Sequence, residues 1–350
     1  MHTETLHSPA PDAVSDACKT TTMSKIQAVL SSKWLAAALT LGLLWALHQV
    51  APWSEWRAAF AQASPLWLLA AVALVVPHEA IRVLRMEGLV PALARHRLAH
   101  GNIVFATACV GQLPVGTIGG DVYRVCRLDE LGIPAAQSTA ATFLIRIVGF
   151  SNTLLLAGVS GAVVLGEAWP LLGALASGLV LFTLATAREP STHGLGALIR
   201  AIKPDATPKD VSGTLAKTVA RFRRLLAKTL DHAKDVSRPQ LAKLFGWSLL
   251  MFTVKTAILW CCLAAIGLDV GLFAAFAALC VGILACAIPS PAGSVGLREG
   301  GMVGVLTLLG TAAAPATIAA LLYRAAIVAG AGLGLAATSL MVSRASPATA

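Results

Sequence analysis

Long apolar runs alternate along this chain with short polar punctuation, and most runs have the length of a membrane crossing. The first is Trp34–Val50, followed by Pro52, Trp53 and Trp56 as interfacial aromatics. Further runs cover Pro65–Leu84, Ser138–Leu165, Trp169–Ala187, Leu241–Gly267 and Pro315–Val342. Crossing about 30 Å of hydrocarbon takes roughly 20 residues of helix, so six full spans are predicted.

Two more apolar stretches are interrupted, bringing the hydrophobic segments to eight. Ile103–Asp121 meets Pro114, Gly116, Gly119 and Gly120, with Asp121 and Arg124 just past the break. Leu272–Leu309 meets Pro289, Pro291, Gly293 and Gly296, with Arg298 and Glu299 just past it. Pro291-Ala292-Gly293-Ser294-Val295-Gly296 repeats the pattern of Pro114-Val115-Gly116-Thr117-Ile118-Gly119. Arg146 follows Pro114 by 32 positions and Arg324 follows Pro291 by 33, each in an otherwise apolar span.

Charge fixes the direction of travel. Arg85, Arg95 and Arg97 mark a cytoplasmic loop, and the polar segment Arg188–Arg238 is rich in Lys and Arg and is cytoplasmic too. Two full spans precede that segment, so the chain around Arg124 and Arg127 is also inside. Ile103–Asp121 therefore leaves the cytoplasm and returns, as a re-entrant hairpin does. The second half reads as the mirror image, entering from the outside. Span, broken hairpin, then span with an embedded arginine occurs twice in opposite orientation, the pattern of transporters that bind at the breaks.

The composition agrees with a polytopic all-α membrane protein. Of 350 residues 57% are hydrophobic and 13% charged, with a mean hydropathy of +0.75. The net charge of +10 points to cytoplasmic loops and anionic headgroups rather than nucleic acid. Residues 1–30 are polar, without a signal pattern, and read as a disordered cytoplasmic tail, with Met23 an alternative start to Met1. A transmembrane domain at 31–343 divides into halves at 31–187 and 240–343. They are joined by a basic cytoplasmic loop, 188–239, in which Leu215, Val219, Phe222, Leu226 and Leu230 recur at the spacing of an amphipathic surface helix. Both termini are expected inside. The seven cysteines lack metal-ligand spacing and read as small buried thiols; no metal and no cofactor is expected.

An ionised side chain within hydrocarbon needs a partner or water. Arg146 and Arg324 can pair with Asp121 and Glu299, or join Arg124 and Arg298 in a cationic path for a phosphate headgroup, which the arginine fork suits. Glycine-rich breaks add bare backbone N–H groups. Lys255, in mid-span, needs an acid, a water cavity or an anionic substrate. His78 and Glu79 form an accessory polar pair; snorkelling to the inner interface is the simpler account of them, a proton relay the alternative. No Gly-x-Ser-x-Gly elbow, P-loop, paired metal-binding aspartates or acyltransferase box is present, and no soluble domain is large enough to bind an activated donor.

The ordered motifs Leu113-Pro114-x-Gly116-x-x-Gly119-Gly120-Asp121-x-x-Arg124, Arg146-x-x-Gly149, Pro289-x-Pro291-x-Gly293-x-x-Gly296-x-Arg298-Glu299-Gly300 and Arg324 resemble the lysylphosphatidylglycerol synthase transmembrane-region family over roughly residues 30–343. Arg82-Val83-Leu84-Arg85 resembles the basic end of the family's second span, and Val115 departs from a position where glycine is common. The resemblance implies a non-enzymatic, flippase-like protein of the bacterial inner membrane, without the aminoacyl-transferring domain of fused members. It would move an anionic phospholipid or a polyprenyl-phosphate-linked sugar between leaflets. An accessory protein that holds a lipid for a partner enzyme in envelope lipid or glycan assembly is the alternative. An integral-membrane glycosyl- or acyltransferase is the third reading.

Overall fold

In a computed structural model, residues 63–112, 116–186, 236–286 and 296–345 are described, with isolated positions 54 and 61. All regular structure among them is helical. The helices are α1 (Pro65–Glu87), α2 (Arg97–Val110), α3 (Gly116–Glu130), α4 (Ala135–Leu165), α5 (Leu171–Thr186), α6 (Arg238–Ala265), α7 (Leu272–Ala285), α8 (Leu297–Leu308) and α9 (Ala313–Ala345). A 3-10 turn, Pro91–His96, joins α1 to α2. The expected first span, the N-terminal tail, the amphipathic helix at Leu215–Leu230, and Pro114, Pro291 and Gly293 lie outside the described residues.

Four helices, α1, α4, α6 and α9, are long and apolar enough to cross a membrane. The protein is a polytopic all-α membrane protein. Helix α5 falls on the expected span at 169–187 and is described for 16 residues. The local signals act where the sequence puts them. Ser237 caps α6, its Oγ accepting from the Gln240 N–H at 3.3 Å while its own N–H donates to Gln240 Oε1 at 2.7 Å. Gly166 ends α4 in the left-handed region, φ 67°, which glycine adopts without steric cost.

Helices α2, α3, α7 and α8 are short, at 14, 15, 14 and 12 residues. At 1.5 Å per residue each reaches only about 18–23 Å, less than the hydrocarbon core. The short helices flanking each break pack on each other, α2 on α3 and α7 on α8. A Cβ on Gly120 of α3 would lie 3.1 Å from the Thr107 carbonyl of α2. In the second hairpin Gly282 and Gly301 meet backbone to backbone, a Cβ on Gly301 falling 2.9 Å from the Gly282 Cα. Helix α3 already begins at Gly116, so Gly116, Gly119 and Gly120 lie in its first turns.

The packing maps onto itself when the halves are exchanged, α1 for α6, α2 for α7, α3 for α8 and α4 for α9. Helix α1 packs on α6. Helix α2 packs on α9 as α7 packs on α4, α3 on α4 as α8 on α9, and α1 on α9 as α6 on α4. Each hairpin thus leans on the long arginine-bearing helix of the other half. The main core, with Tyr323, Met302, Leu279, Ile258 and Val75 all but inaccessible, lies where α1, α2, α6, α7, α8 and α9 meet. Cys261, Cys262 and Cys280 are buried free thiols within it.

Because Gly301 has no room for a side chain, Gly301→Leu should separate α8 from α7. The expected loss is about 1–3 kcal/mol of stability, read as a lower midpoint in thermal denaturation of the detergent-purified protein. Gly304→Leu, where nothing lies within 4 Å of the added Cβ, should leave the midpoint unchanged.

Candidate functional site

The charged residues just past each break form two matching groups. In the first, Asp121 of α3 accepts from Arg124, one turn on in the same helix, at 3.2 Å, and from Arg146 of α4 in a closer contact. Arg124 also donates to Thr142 Oγ1 at 3.0 Å. In the second, Glu299 of α8 accepts from Arg324 of α9, Nε at 2.9 Å and Nη2 at 2.8 Å, with Arg298 Nε at 3.4 Å. Each acid precedes the arginine of the following long helix by the same 25 residues. The pairing foreseen for Arg146 and Arg324 is therefore what these side chains adopt.

Glu299 has a second task. It is the third residue of α8, and its Oε2 accepts the Gly296 N–H at 2.9 Å, capping a helix whose entry residue has φ 84°. A carboxylate there also complements the positive end of the helix. Both oxygens are thus engaged, and Arg298 stacks over the Tyr323 ring at 5.7 Å.

The second group is tied to the first hairpin by a residue that sequence reasoning missed. Gln112, at the end of the first arm, accepts from Arg298 Nη2 on its side-chain Oε1 at 2.6 Å. Its main-chain carbonyl accepts from Arg324 Nη1 at 2.9 Å. A helix end leaves such carbonyls without intrahelical partners, which is why an arginine from another helix can take one. The visible signal was a lone amide side chain immediately before Leu113-Pro114.

His78, Glu79 and Lys255 lie near these groups, and the snorkelling account of the first two does not hold. His78 is 4% and Glu79 1% exposed, inside the helix packing. His78 Nδ1 lies 3.0 Å from Glu79 Oε1, and Arg82 Nη1 donates to Glu79 Oε2 at 2.6 Å. Arg85, read as a marker of the inner surface, is also buried, donating to Met251 Sδ at 2.9 Å and the Ile145 carbonyl at 3.2 Å. Arg82 is within Coulombic reach of Arg85, Arg124 and Lys255, and Lys255 of Arg298. One connected centre results. By contrast Arg97 pairs with Glu87 at the end of α1, and Arg127 with Glu130 at the exposed end of α3.

The two halves differ in access. The Arg324 and Glu299 side chains are 13% and 10% exposed, whereas those of Arg146 and Asp121 are 46% and 20% exposed. No group of three or more metal-ligating side chains occurs among the described residues. What the centre offers chemically is guanidinium N–H groups held in place by acids along one edge, with further donors on the other.

A family model described as the lysylphosphatidylglycerol synthase TM region matches residues 33–334. No curated protein and no solved structure matches the chain.

Removing one member of a buried ion pair leaves the other uncompensated and typically costs about 3–5 kcal/mol. Glu299→Gln is expected to destabilise strongly, and Arg324→Gln on top of it to cost little more, since the pair acts as a unit. Glu130→Gln at the exposed pair should change stability by under about 1 kcal/mol. Chemical denaturation of Glu299→Gln, Arg324→Gln, the double variant and Glu130→Gln in detergent reads these differences; additive losses from the two single variants would mean that the two side chains act independently.

Proposed function

Because the chain belongs to the lysylphosphatidylglycerol synthase TM region family, we propose that it moves a lipid with an anionic phosphate headgroup, a phospholipid or a polyprenyl-phosphate-linked lipid, between membrane leaflets. Asp121, Arg124, Arg146, Arg298, Glu299 and Arg324 line the headgroup path, and the two hairpins carry it to membrane depth. The family's name ties its members to membrane lipid synthesis, which agrees with a lipid cargo.

One observation carries the reading. In the connected centre, Arg82, Arg85, Arg124, Arg146, Lys255, Arg298 and Arg324 stand against three carboxylates among the described residues, those of Glu79, Asp121 and Glu299. Each uncompensated charge in a membrane interior costs at least about 2.5 kcal/mol on translocon scales, so a surplus of cations is retained where an anion or water meets it. A phosphate group supplies that anion, and its oxygens accept paired N–H bonds from guanidinium.

The orientation follows from the basic loops. Both termini face the cytoplasm of a bacterial inner membrane, the tail before residue 31 and the loop 188–239 lie inside, and the hairpins enter from opposite faces. The transmembrane unit is residues 31–343. Transport is passive or ion-coupled.

Vesicles holding the purified chain and headgroup-labelled phosphatidylglycerol test this, with an external quencher reading the outer leaflet. The wild type should equalise the leaflets about tenfold faster than empty vesicles, and Arg146→Ala should lose most of that gain. If both match empty vesicles, transport is excluded. Retained lipid binding in that case would favour an accessory protein that holds lipid for a partner enzyme.

A further inference from the structure

Gln112 gives one oxygen to each arginine of the second charged group. Its amide Oε1 accepts from Arg298 Nη2 at 2.6 Å, and its main-chain carbonyl accepts from Arg324 Nη1 at 2.9 Å. Two oxygens of a single phosphate can bridge a pair of guanidinium groups by the same kind of bond. Both arginines pair with Glu299 and, among the described residues, with no other acid. Two guanidinium charges against one carboxylate leave one positive charge in excess, and Gln112 is neutral. It therefore occupies the donors without balancing the charge. A phosphodiester, with one negative charge shared over its oxygens, would do both. The repeat does not carry this amide into the other half, since the place two before Pro291 is held by Pro289.

We propose that Gln112 is an internal stand-in for a lipid phosphate between Arg298 and Arg324, and that a phosphodiester headgroup reaching these arginines displaces it. Arg298 is 7% exposed and Gln112 half-buried, so the headgroup gains the arginine by moving the glutamine aside. The displacement has a mechanical result. Gln112 lies in the turn just past α2, and giving up both arginines breaks the hydrogen bonds that join the first hairpin to α8 and α9. Glu299 meanwhile keeps hold of Arg324 through Nε and Nη2 and of Arg298 through Nε. The donors are thus already ordered when the anion arrives, which lowers the entropic cost of binding it. The proposal rests on the headgroup path proposed above and adds what holds that path shut before a lipid binds.

The full chain in phosphatidylcholine nanodiscs tests it, with acyl-labelled phosphatidylglycerol as the probe and energy transfer from the protein's tryptophans as the signal. Gln112→Ala removes the amide and keeps the carbonyl, and should bind the probe about tenfold more tightly than the wild type. Gln112→Glu supplies a permanent internal anion, and should bind it about tenfold more weakly. In an Arg298→Gln background the gain from Gln112→Ala should disappear, because the amide acts on that arginine. Gln112→Ala binding no more tightly than the wild type overturns the proposal. So, independently, does Gln112→Glu binding no more weakly. Inorganic phosphate at the concentration of the probe should not compete; competition would make a free anion, not a lipid, the group that replaces Gln112. A wild type that binds no probe overturns the headgroup path itself, whereas binding indifferent to position 112 removes only the stand-in.

Discussion

The centre of this protein depends on a carboxylate that does two things at once. Glu299 closes the first turn of α8 through the Gly296 N–H and holds Arg324 of α9 on its other oxygen. The cap fixes where the acid is, and the acid then fixes where the guanidinium is. Arg324 in turn reaches the end of α2 through the Gln112 carbonyl. Cap, ion pair and helix end therefore form one chain of constraints from the second hairpin to the first. Without it the two breaks would be turns that happen to lie in the same bundle.

The same logic explains the repeat. An acid near the start of a short helix, with an arginine 25 residues on in a long one, locks each hairpin to its own half. The exchange of partners, α2 on α9 and α7 on α4, locks each hairpin to the other half. Glycine sets the distance at which this works. Gly282 against Gly301 and Gly120 against Thr107 let the two arms of each hairpin approach backbone to backbone. The halves are alike in bonding and unlike in access, since the pair on α3 and α4 is far more open than its counterpart.

Much of this was legible in the sequence because apolar length and charge are read one residue at a time. Spans α1, α4, α6 and α9 fall on the predicted runs, α4 ends with the run Ser138–Leu165, and the paired motifs pointed to the six charged residues that do form matching groups. The contribution of Gln112 was not legible, since half of it is a main-chain carbonyl, and no side-chain pattern announces a free helix end. Nor was the burial of His78, Glu79 and Arg85. A basic cluster at the end of an apolar run reads as an interface marker, and only the packing of α1 on α6 and α4 turns those side chains inward.

The Gln112 link has a consequence for genetics. Of the two hydrogen bonds that tie this residue to the other half, one is accepted by the side chain and one by the backbone. Any amino acid at this position still carries the carbonyl. A saturation screen would therefore register at position 112 only the loss of the Arg298 bond, and would shift the rest of the apparent burden to Arg324, the donor. Pairs of hairpins joined in this way can diverge in sequence at the joint while keeping it, and family alignments would under-weight it for the same reason.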